Sequence, residues 1–202
     1  MIFSDRVFII APMKALEEKI KKEGKFLPGN VLKVNSFLNQ NIDTAFLMKI
    51  GKEISDIFAD SKVDRILTIE ASGIAIAVAA AIHMNVPVVF AKKGKASNIV
   101  GKVYTAPVHS YTHNNDYIAT VTADFIKSGE NVLLVDDFLA HGEALRGLLE
   151  IVKQAGANPV GAAIAIEKGF QGGGQELRDK GLRIESLAIV DSIMENSITF
   201  RH

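Results

Sequence analysis

The pattern of apolar and polar stretches predicts two βαβ units. The run RILTI, residues 65–69, is followed by a turn, an apolar helix and the run PVVFA, and the same order recurs from VLLVD, residues 132–136, through a helix to PVGAAIAIE. Continuous apolar strands are buried on both faces, as in a parallel sheet between helices, where ligands bind at the carboxyl ends of the strands. The predicted ends are Ile69, Ala91, Val135 and Ile166.

The segments outside these units follow helical and strand periodicity. Apolar spacing predicts one helix that ends at Gly24 and a second that begins after Asp43 as its N-cap. The sequence between them, residues 27–42, contains Pro-Gly and several asparagines and is predicted to be irregular. Residues 96–127 are predicted to form two antiparallel strands with a tip at 110–116. RIESLAIVDSI predicts one more strand, with ITF as a candidate for another.

Length and composition indicate one domain. The chain has 202 residues, of which 48% are hydrophobic, enough for one sizeable core. We expect a single domain over residues 13–202, with residues 1–12 as an extension outside the fold. The apolar patch at 7–11 is too short to span a bilayer, and no other stretch is apolar for long enough. A cytoplasmic location is the simplest expectation.

Charge and cysteine content exclude several classes of function. Lysine plus arginine and aspartate plus glutamate number 23 each, so no overall field attracts nucleic acid or an anionic membrane. The absence of cysteine excludes disulfides, thiolate metal sites and a cysteine nucleophile. These features favour a small-molecule partner, with no nucleic acid and no membrane.

Two adjacent acids follow the apolar run VLLV in the stretch VLLVDDFLAHGEAL. On a strand, the side chains of Asp136 and Asp137 point to different sides of the sheet. A buried charge is costly unless it is paired or hydrogen-bonded. The two acids therefore serve diol hydroxyls, a divalent cation, a neighbouring cation or a backbone cap, the alternative being a helix cap plus a solvated acid.

The turn after the acids leads into a helix N-terminus. Free N–H groups and the helix dipole at such an end favour a phosphate. Carboxylates for sugar hydroxyls beside amides for a phosphate describe a ribose 5-phosphate site. The residues of the turn are Ala140, His141, Gly142, Glu143 and Ala144.

This stretch resembles the signature by which type I phosphoribosyltransferases bind phosphoribosyl pyrophosphate (PRPP). The resemblance implies a type I phosphoribosyltransferase fold, an α/β fold with a central, mostly parallel sheet flanked by helices and a small hood formed by the N- and C-terminal segments. It also implies that Asp136 and Asp137 hold the ribose hydroxyls and that residues 140–144 cradle the 5-phosphate. The common family turn is rich in threonine, whereas this turn must use backbone amides, and the Glu143 side chain must point away.

Further segments indicate which branch of the family the sequence resembles. VLKVNSFLNQNID, TIEASGIAIAV, VPVVFAKKGK, SYT and AIEKGFQ are similar to the xanthine phosphoribosyltransferase branch of Gram-positive bacteria, and the similarity runs from Met13 nearly to the C-terminus. This implies a cytoplasmic homodimer of purine salvage that converts xanthine and PRPP to xanthosine 5′-monophosphate and pyrophosphate. The xanthine contacts implied by the resemblance are Leu32, Asn39 and Lys168.

Loss of pyrophosphate from PRPP passes through a transition state with oxocarbenium character, so the leaving group must be neutralised. Mg²⁺ held mainly by oxygens of PRPP would serve as a clamp. The turn EASG could offer backbone amides, and three lysines after the second strand could add positive charge. Taken alone, the same features also fit a structural turn and a solvated patch. These candidates are Ala71, Ser72, Gly73, Lys92, Lys93 and Lys95.

Two residues beyond the strand AIAIE suit a purine. The Lys168 ammonium could donate to an oxo group and Phe170 could offer a stacking face, although a surface lysine and a core phenylalanine fit equally well. Within the resemblance, Asn39 is the candidate donor to the C2 oxo group of xanthine. Tyr111 lies in a loop that either closes over the site or is a surface hairpin.

Three alternatives stay open at this point. A PRPP-sensing purine regulator would keep the ribose-phosphate site, but the sequence has no helix-turn-helix pattern and no net charge. A phosphoribosyltransferase that prefers guanine or hypoxanthine would share every motif. The metal pocket of a receiver-type signalling domain would need another aspartate at a neighbouring strand end, and the strands ending at Ile69 and Ala91 supply none.

Overall fold

The computed structural model describes residues 13–94, 101–110, 115–194 and 197–202. The expected extension at 1–12, together with Lys95 and Tyr111, lies outside the described residues. No helix within those ranges is long and apolar enough to cross a membrane.

The N-terminal quarter is more ordered than predicted. Residues 27–42 are not irregular: they contribute to a two-stranded hairpin and a five-residue π-helical turn, since β1 pairs with β2 from Leu27↔Val31 to Lys25↔Lys33. The side chain of Asp43 accepts a hydrogen bond from Phe46 N at 3.0 Å, which confirms the predicted N-cap. The elements are α1 (Lys14–Glu23), β1 (Lys25–Leu27), β2 (Val31–Lys33), the π-helical turn Asn35–Asn39 and α2 (Thr44–Ile57).

The rest of the described chain forms one sheet with its helices. The strands are β3 (Arg65–Ile69), β4 (Val88–Lys93), β5 (Val103–Ser110), β6 (Asn115–Thr122), β7 (Asn131–Leu139), β8 (Asn158–Lys168), β9 (Ile184–Met194) and β10 (Ser197–Phe200). The helices are α3 (Ser72–Met84), α4 (Glu143–Ala155) and α5 (Gly173–Asp179), with 3-10 turns at Ala123–Phe125 and Gly169–Gln171.

The strand order is β10-β9-β8-β7-β3-β4-β6-β5. The five central strands, from β9 to β4, are parallel, whereas β10 and the β5–β6 hairpin are antiparallel. The predicted βαβ units, the antiparallel pair and both C-terminal strands are confirmed. The mostly parallel sheet follows from apolar runs that tolerate burial on both faces.

Alternate residues of β7 enter two separate cores. Leu133 and Val135 belong to the core under α2 and α3, and Val132 and Leu134 belong to the core under α4. This division explains why the strand is apolar at every position instead of every second one.

The first helix of the described chain packs against its last strands at one edge of the sheet. The backbone N–H of Met13 donates to the carbonyl of Leu187 at 2.8 Å, and the ammonium of Lys21 lies 5.3 Å from the ring centroid of Phe200. These contacts join α1 to β9 and β10. The pairing of the terminal segments agrees with the expected hood.

Two predicted strand ends and the conformation of one predicted helix cap differ from the structure. Strand β7 continues past Asp136 to Leu139, and β4 continues past Ala91 because Lys92 and Lys93 pair with β6. Gly24 follows α1 as predicted, but its φ of −69° is extended and not left-handed. A Cβ atom there would lie 2.5 Å from the carbonyl oxygen of Ile20, so close approach explains this glycine.

Gly51 tests the packing of α2 on α3. A Cβ atom at this position would collide with the backbone of Ala79 and Ala80. We expect Gly51→Ala to lower the free energy of unfolding by about 1–3 kcal/mol, because overpacking outweighs the gain in helix propensity. Urea denaturation measures the change, with Lys49→Ala on the exposed side of α2 as the control. Equal stability of both variants would contradict close backbone packing.

Candidate active site

Asp136 and Asp137 lie side by side on β7, three and two residues before its end. Asp136 is 6% exposed, and its Oδ1 accepts a hydrogen bond from the backbone N–H of Asp137 at 3.0 Å. Asp137 is half-buried and accepts a hydrogen bond from Nδ2 of Asn39 at 3.1 Å. The two side chains thus meet different parts of the fold, as strand alternation predicts.

The surroundings disfavour the charged form of both acids. Burial raises the pKa of Asp136 well above its ordinary value of 3.8, and the charge of Asp137 adds to this shift. Burial also raises the pKa of Asp137, against the opposing hydrogen bonds from Asp136, the backbone and Asn39. The positive charge of Lys93 works in the other direction on Asp136. A ligand with hydroxyl donors or a bound cation would stabilise the charged form that burial disfavours.

The first turn of α3 lies directly against Asp136. A Cβ atom on Gly73 would collide with the hydroxyl of Thr68 and lie 3.0 Å from Oδ1 of Asp136. Gly73 is therefore required for the approach of α3 to β7, in addition to any approach to a ligand. The Thr68 hydroxyl is buried and has no hydrogen-bond partner in the part of the chain that the structure describes.

The two predicted pyrophosphate segments meet. Ala71 precedes α3 and Ser72 begins it, and the peptide bond between Glu70 and Ala71 is cis. The carboxylate of Glu70 accepts a hydrogen bond from the backbone N–H of Lys93. This hydrogen bond joins the turn to the lysine pair at the end of β4, so both segments lie at the same place on the sheet edge.

The predicted phosphate turn lines a cavity of about 160 Å³. Its N-cap, Gly142, has a φ of 88°, a left-handed conformation that favours glycine. Within the described ranges, no acceptor is found for the backbone N–H groups of Gly142, Glu143, Ala144 and Leu145. Several amides at a helix N-terminus could thus donate to one anion, and the binding of a phosphate there stays a prediction.

The predicted conflict between Glu143 and a phosphate is reduced by an ion pair. Oε1 of Glu143 accepts a hydrogen bond from Nη1 of Arg146 at 2.8 Å. The guanidinium neutralises the carboxylate one turn into α4. Glu143 is among the residues that line the cavity, and Arg146 balances its charge there.

The β5–β6 hairpin contributes residues that the sequence interpretation missed. His109 and Tyr117 line the same cavity as the phosphate turn and Asp136. Burial and the charge of Asp136 raise the pKa of Tyr117 to about 12, and the ammonium of Lys93 lies 5.2 Å from its ring centroid. Tyr117 pairs with Val108 and His109 pairs with Asp116, so the two side chains lie on opposite faces of the hairpin, and no sequence signal indicated that this hairpin borders the cavity.

Lys168 meets an aromatic ring other than the predicted one. Its ammonium lies 6.0 Å from the ring centroid of Phe138, and burial lowers its pKa. Phe138 directly follows Asp137 in the signature, a position that could have identified it. Phe170 lies in the 3-10 turn after Lys168 and is 36% exposed, and its stacking role stays a prediction.

Asn39 lies at the end of the π-helical turn, in contact with the acidic pair. Because Nδ2 donates to Asp137, its Oδ1 faces the interior, where it is buried and has no partner among the residues described. Leu32 on β2 is 6% exposed and packs in the core under α2 and α3. The structure thus brings Asn39 to the acids and places the side chain of Leu32 in the core.

Whether the site can hold Mg²⁺ depends on the two aspartates. No cluster of three or more histidine, aspartate and glutamate side chains within the described ranges is arranged to hold a metal ion. However, a divalent cation that shares the oxygens of a bound ligand would stabilise the buried carboxylates in their charged form. The residues therefore fit a metal that arrives with its ligand.

Comparison with known proteins identifies the family. The protein-family model described as "Phosphoribosyl transferase domain" matches residues 39–192. The chain belongs to this family. Among its phosphoribosyltransferase relatives, "Xanthine phosphoribosyltransferase" of Alkaliphilus metalliredigens is 53% identical over 189 residues, 94% of each chain. "Xanthine phosphoribosyltransferase 1" of Clostridium perfringens is 52% identical over 190 residues, which cover 94% of this chain and 100% of that protein.

A solved phosphoribosyltransferase shares the fold. The adenine phosphoribosyltransferase from Thermoanaerobacter pseudethanolicus matches with a TM-score of 0.70 at 21% identity, over 86% of this chain and 98% of that chain. Together with the observed strand order, this match confirms the expected type I phosphoribosyltransferase fold.

The raised pKa of Asp136 predicts a pH-dependent gain in stability for Asp136→Asn without ligands. A carboxyl whose pKa rises on folding stabilises the native state at low pH and loses this contribution as the pH rises from 3.8 through the folded pKa. The asparagine variant should match the wild type near pH 4 and melt about 2–4 °C higher at neutral pH, the shift that 1 kcal/mol brings at this size. Thermal melts across pH measure this.

The control is Asp124→Asn, which removes an exposed carboxylate. It should leave Tm within about 1 °C of the wild type at every pH, since surface substitutions change stability little. A wild-type protein more stable than Asp136→Asn at neutral pH would show that the acid is stabilised in the folded state.

Proposed function

We propose that this chain transfers the 5-phosphoribosyl group of PRPP to xanthine, releasing pyrophosphate and xanthosine 5′-monophosphate in purine salvage. The observation that carries the proposal is the pair of buried acids beside a cavity lined by backbone amides, at the carboxyl edge of the sheet. The names of the relatives at 53% and 52% identity support xanthine as the base. A cytoplasmic location agrees with this role.

The acids and the phosphate turn would hold the ribose phosphate. Hydroxyl donors of the ribose compensate the desolvation of Asp136 and Asp137, which accept hydrogen bonds best when charged. The amides from Gly142 to Leu145 bind the 5-phosphate, together with Ala140 and His141 of the same turn. The sugar is thereby fixed at both ends before the base attacks.

The leaving group would lie at the start of α3. Backbone amides of Ala71, Ser72 and Gly73 face the pyrophosphate, and Lys92 and Lys93 supply positive charge; Lys95 is proposed for the same role. Mg²⁺, if held mainly by oxygens of PRPP beside Asp136 and Asp137, would supply further positive charge for the pyrophosphate. Tyr117 and His109 on the hairpin limit access of water to the sugar from the side of β5 and β6.

The base would lie between Lys168 and Asn39. The Lys168 ammonium donates to an oxo group, and Phe138 or Phe170 offers a stacking face. Asn39 keeps one amide N–H for the C2 oxo group. Leu32 packs beneath this segment and supports it.

Replacement of both acids tests the assignment of the ribose site. We expect Asp136→Asn combined with Asp137→Asn to lower kcat/KM by at least about 10²–10³-fold while the fold persists, since the acceptors of the ribose hydroxyls are lost. Nucleotide formation from PRPP, Mg²⁺ and xanthine measures activity, and circular dichroism verifies the fold. Normal turnover in this double variant would mean that the acids are merely structural.

A panel of bases separates the alternatives. The wild type should use xanthine better than guanine or hypoxanthine, because a site that donates to the C2 oxo group rejects bases without it. Preferential use of guanine would remove the role given to Asn39 and retain the enzyme. No nucleotide from any base would contradict transfer altogether.

We further propose a homodimer that forms through α3. This helix is apolar on all sides, and its outer residues Val78 and Ile82, one turn apart, are 44% and 62% exposed. An apolar helix face exposed in this way favours a protein partner, and a twofold interface places the same patch on both subunits.

Ile82→Lys tests this surface. We expect the variant to run as a monomer in size-exclusion chromatography with light scattering, whereas the wild type runs as a dimer, because an ammonium cannot be buried unpaired in the interface. Lys49→Ala serves as the matched surface control. A dimer that persists in Ile82→Lys would place the interface elsewhere.

A further inference from the structure

The guanidinium of Arg146 packs against the phosphate turn, residues 140–144. Nη1 of Arg146 donates to the carbonyl oxygen of His141 at 2.7 Å and to Glu143 at 2.8 Å, and Nη2 donates to Oε2 of Glu176 at 2.7 Å. A Cβ atom on Gly142 would lie 3.2 Å from Nη1, so the guanidinium packs directly against the turn. Arg146 therefore connects three points: the turn, α4 and α5.

The hydrogen bond to His141 determines the direction of the next amide. The peptide between His141 and Gly142 is not among the cis bonds of the described chain. In a trans peptide the carbonyl and the N–H point in opposite directions. Because the carbonyl of His141 is directed at Arg146, the N–H of Gly142 points away from the guanidinium, towards the cavity side of the turn.

Helix α5 packs against the turn and helps to keep Arg146 in place. A Cβ atom on Gly173 would collide with the backbone of Ala140 and His141, so α5 touches the turn backbone to backbone. The same helix presents Glu176 to Arg146, and its Arg178 donates to both carboxylate oxygens of Glu167 at 2.8 and 2.6 Å. The turn thus rests on a helix that is itself fixed to β8.

The anchor on β8 is buried and charged. Burial raises the pKa of Glu167, but hydrogen bonds from Arg178 and Ser186 outweigh this and leave it below the ordinary value. A Cβ atom on Gly174 would collide with the carboxylate of Glu167. The close fit of glycines and ion pairs leaves α5 little freedom to move relative to the turn.

We propose that Arg146 is the positioning residue of the phosphate turn: its guanidinium, held by Glu176, orients the Gly142 amide towards the 5-phosphate without touching the substrate. The inference rests on the proposed function of the turn. It assigns to α4 and α5 a part in substrate affinity that the signature itself does not contain.

Binding of ribose 5-phosphate, measured by calorimetry without any base, tests the proposal. Arg146→Gln should bind it about 10-fold or more weakly and raise KM for PRPP more than it lowers kcat, since losing the support of a binding group typically costs 10–100-fold. Glu176→Gln keeps the arginine and breaks the same contact from its other end. It should show a smaller loss in the same direction.

The conservative variant separates geometry from charge. If Arg146 acted only through its positive charge near the phosphate, Arg146→Lys would bind ribose 5-phosphate as the wild type does. Because one ammonium cannot reproduce a planar fork with three acceptors, we expect only partial recovery. Full recovery in Arg146→Lys would overturn the positioning role.

Arg183→Gln is the matched control. Arg183 also holds a backbone carbonyl and two carboxylates, those of Ile57, Asp60 and Glu185, but it precedes β9 at the opposite end of the sheet. The variant should unfold more easily and bind ribose 5-phosphate like the wild type. Equal binding by Arg146→Gln and Arg183→Gln, with both folded by circular dichroism, would also overturn the proposal.

Different results would contradict the proposed reaction and the proposed role of Arg146. A wild type that binds ribose 5-phosphate but forms no nucleotide would contradict the proposed reaction and leave the role of Arg146 measurable. A wild type that does not bind ribose 5-phosphate would overturn the phosphate turn and, with it, the inference about Arg146.

Discussion

Two adjacent carboxylates in a buried strand are the constraint on which the site depends. Taking a charge out of water costs several kcal/mol unless partners replace the lost hydration. Asp136 and Asp137 have few such partners: a neighbouring backbone amide, the amide of Asn39 and the distant charge of Lys93. The unliganded protein therefore carries an electrostatic cost at its sheet edge, and a ligand rich in hydroxyls with a bound cation would relieve it.

The surrounding elements fit closely around this pair. Gly73 lets α3 approach Asp136, and Gly173 lets α5 approach the phosphate turn, so that two helices reach the same sheet edge without side chains between them. Both contacts are backbone to backbone or backbone to carboxylate, which leaves little room for adjustment. A rigid site of this kind would bind the proposed sugar phosphate with a small loss of conformational entropy.

The residues that support the turn are also held in close contact with one another, although they lie farther from the proposed ligand site. Arg146 and Glu176 form one connection and Arg178 and Glu167 the next, so the turn is connected through α5 to a central strand. Exposed ion pairs contribute little to stability, but bidentate pairs to a buried carboxylate determine geometry. The arrangement suits orientation of backbone amides better than it suits stabilisation of the fold.

The parallel core, the position of the acids near the end of a strand, the turn before α4 and the cap at Asp43 could all be predicted from the sequence, because each depends on local periodicity or on neighbouring residues. The folded structure extends β7 and β4 beyond their apolar runs, since those extensions depend on pairing with other strands. It also decided the contacts of Asn39 with Asp137, 98 positions away, and of Arg146 with Glu176, 30 away. The periodicity of a sequence does not indicate which distant side chains the fold brings within hydrogen-bonding distance.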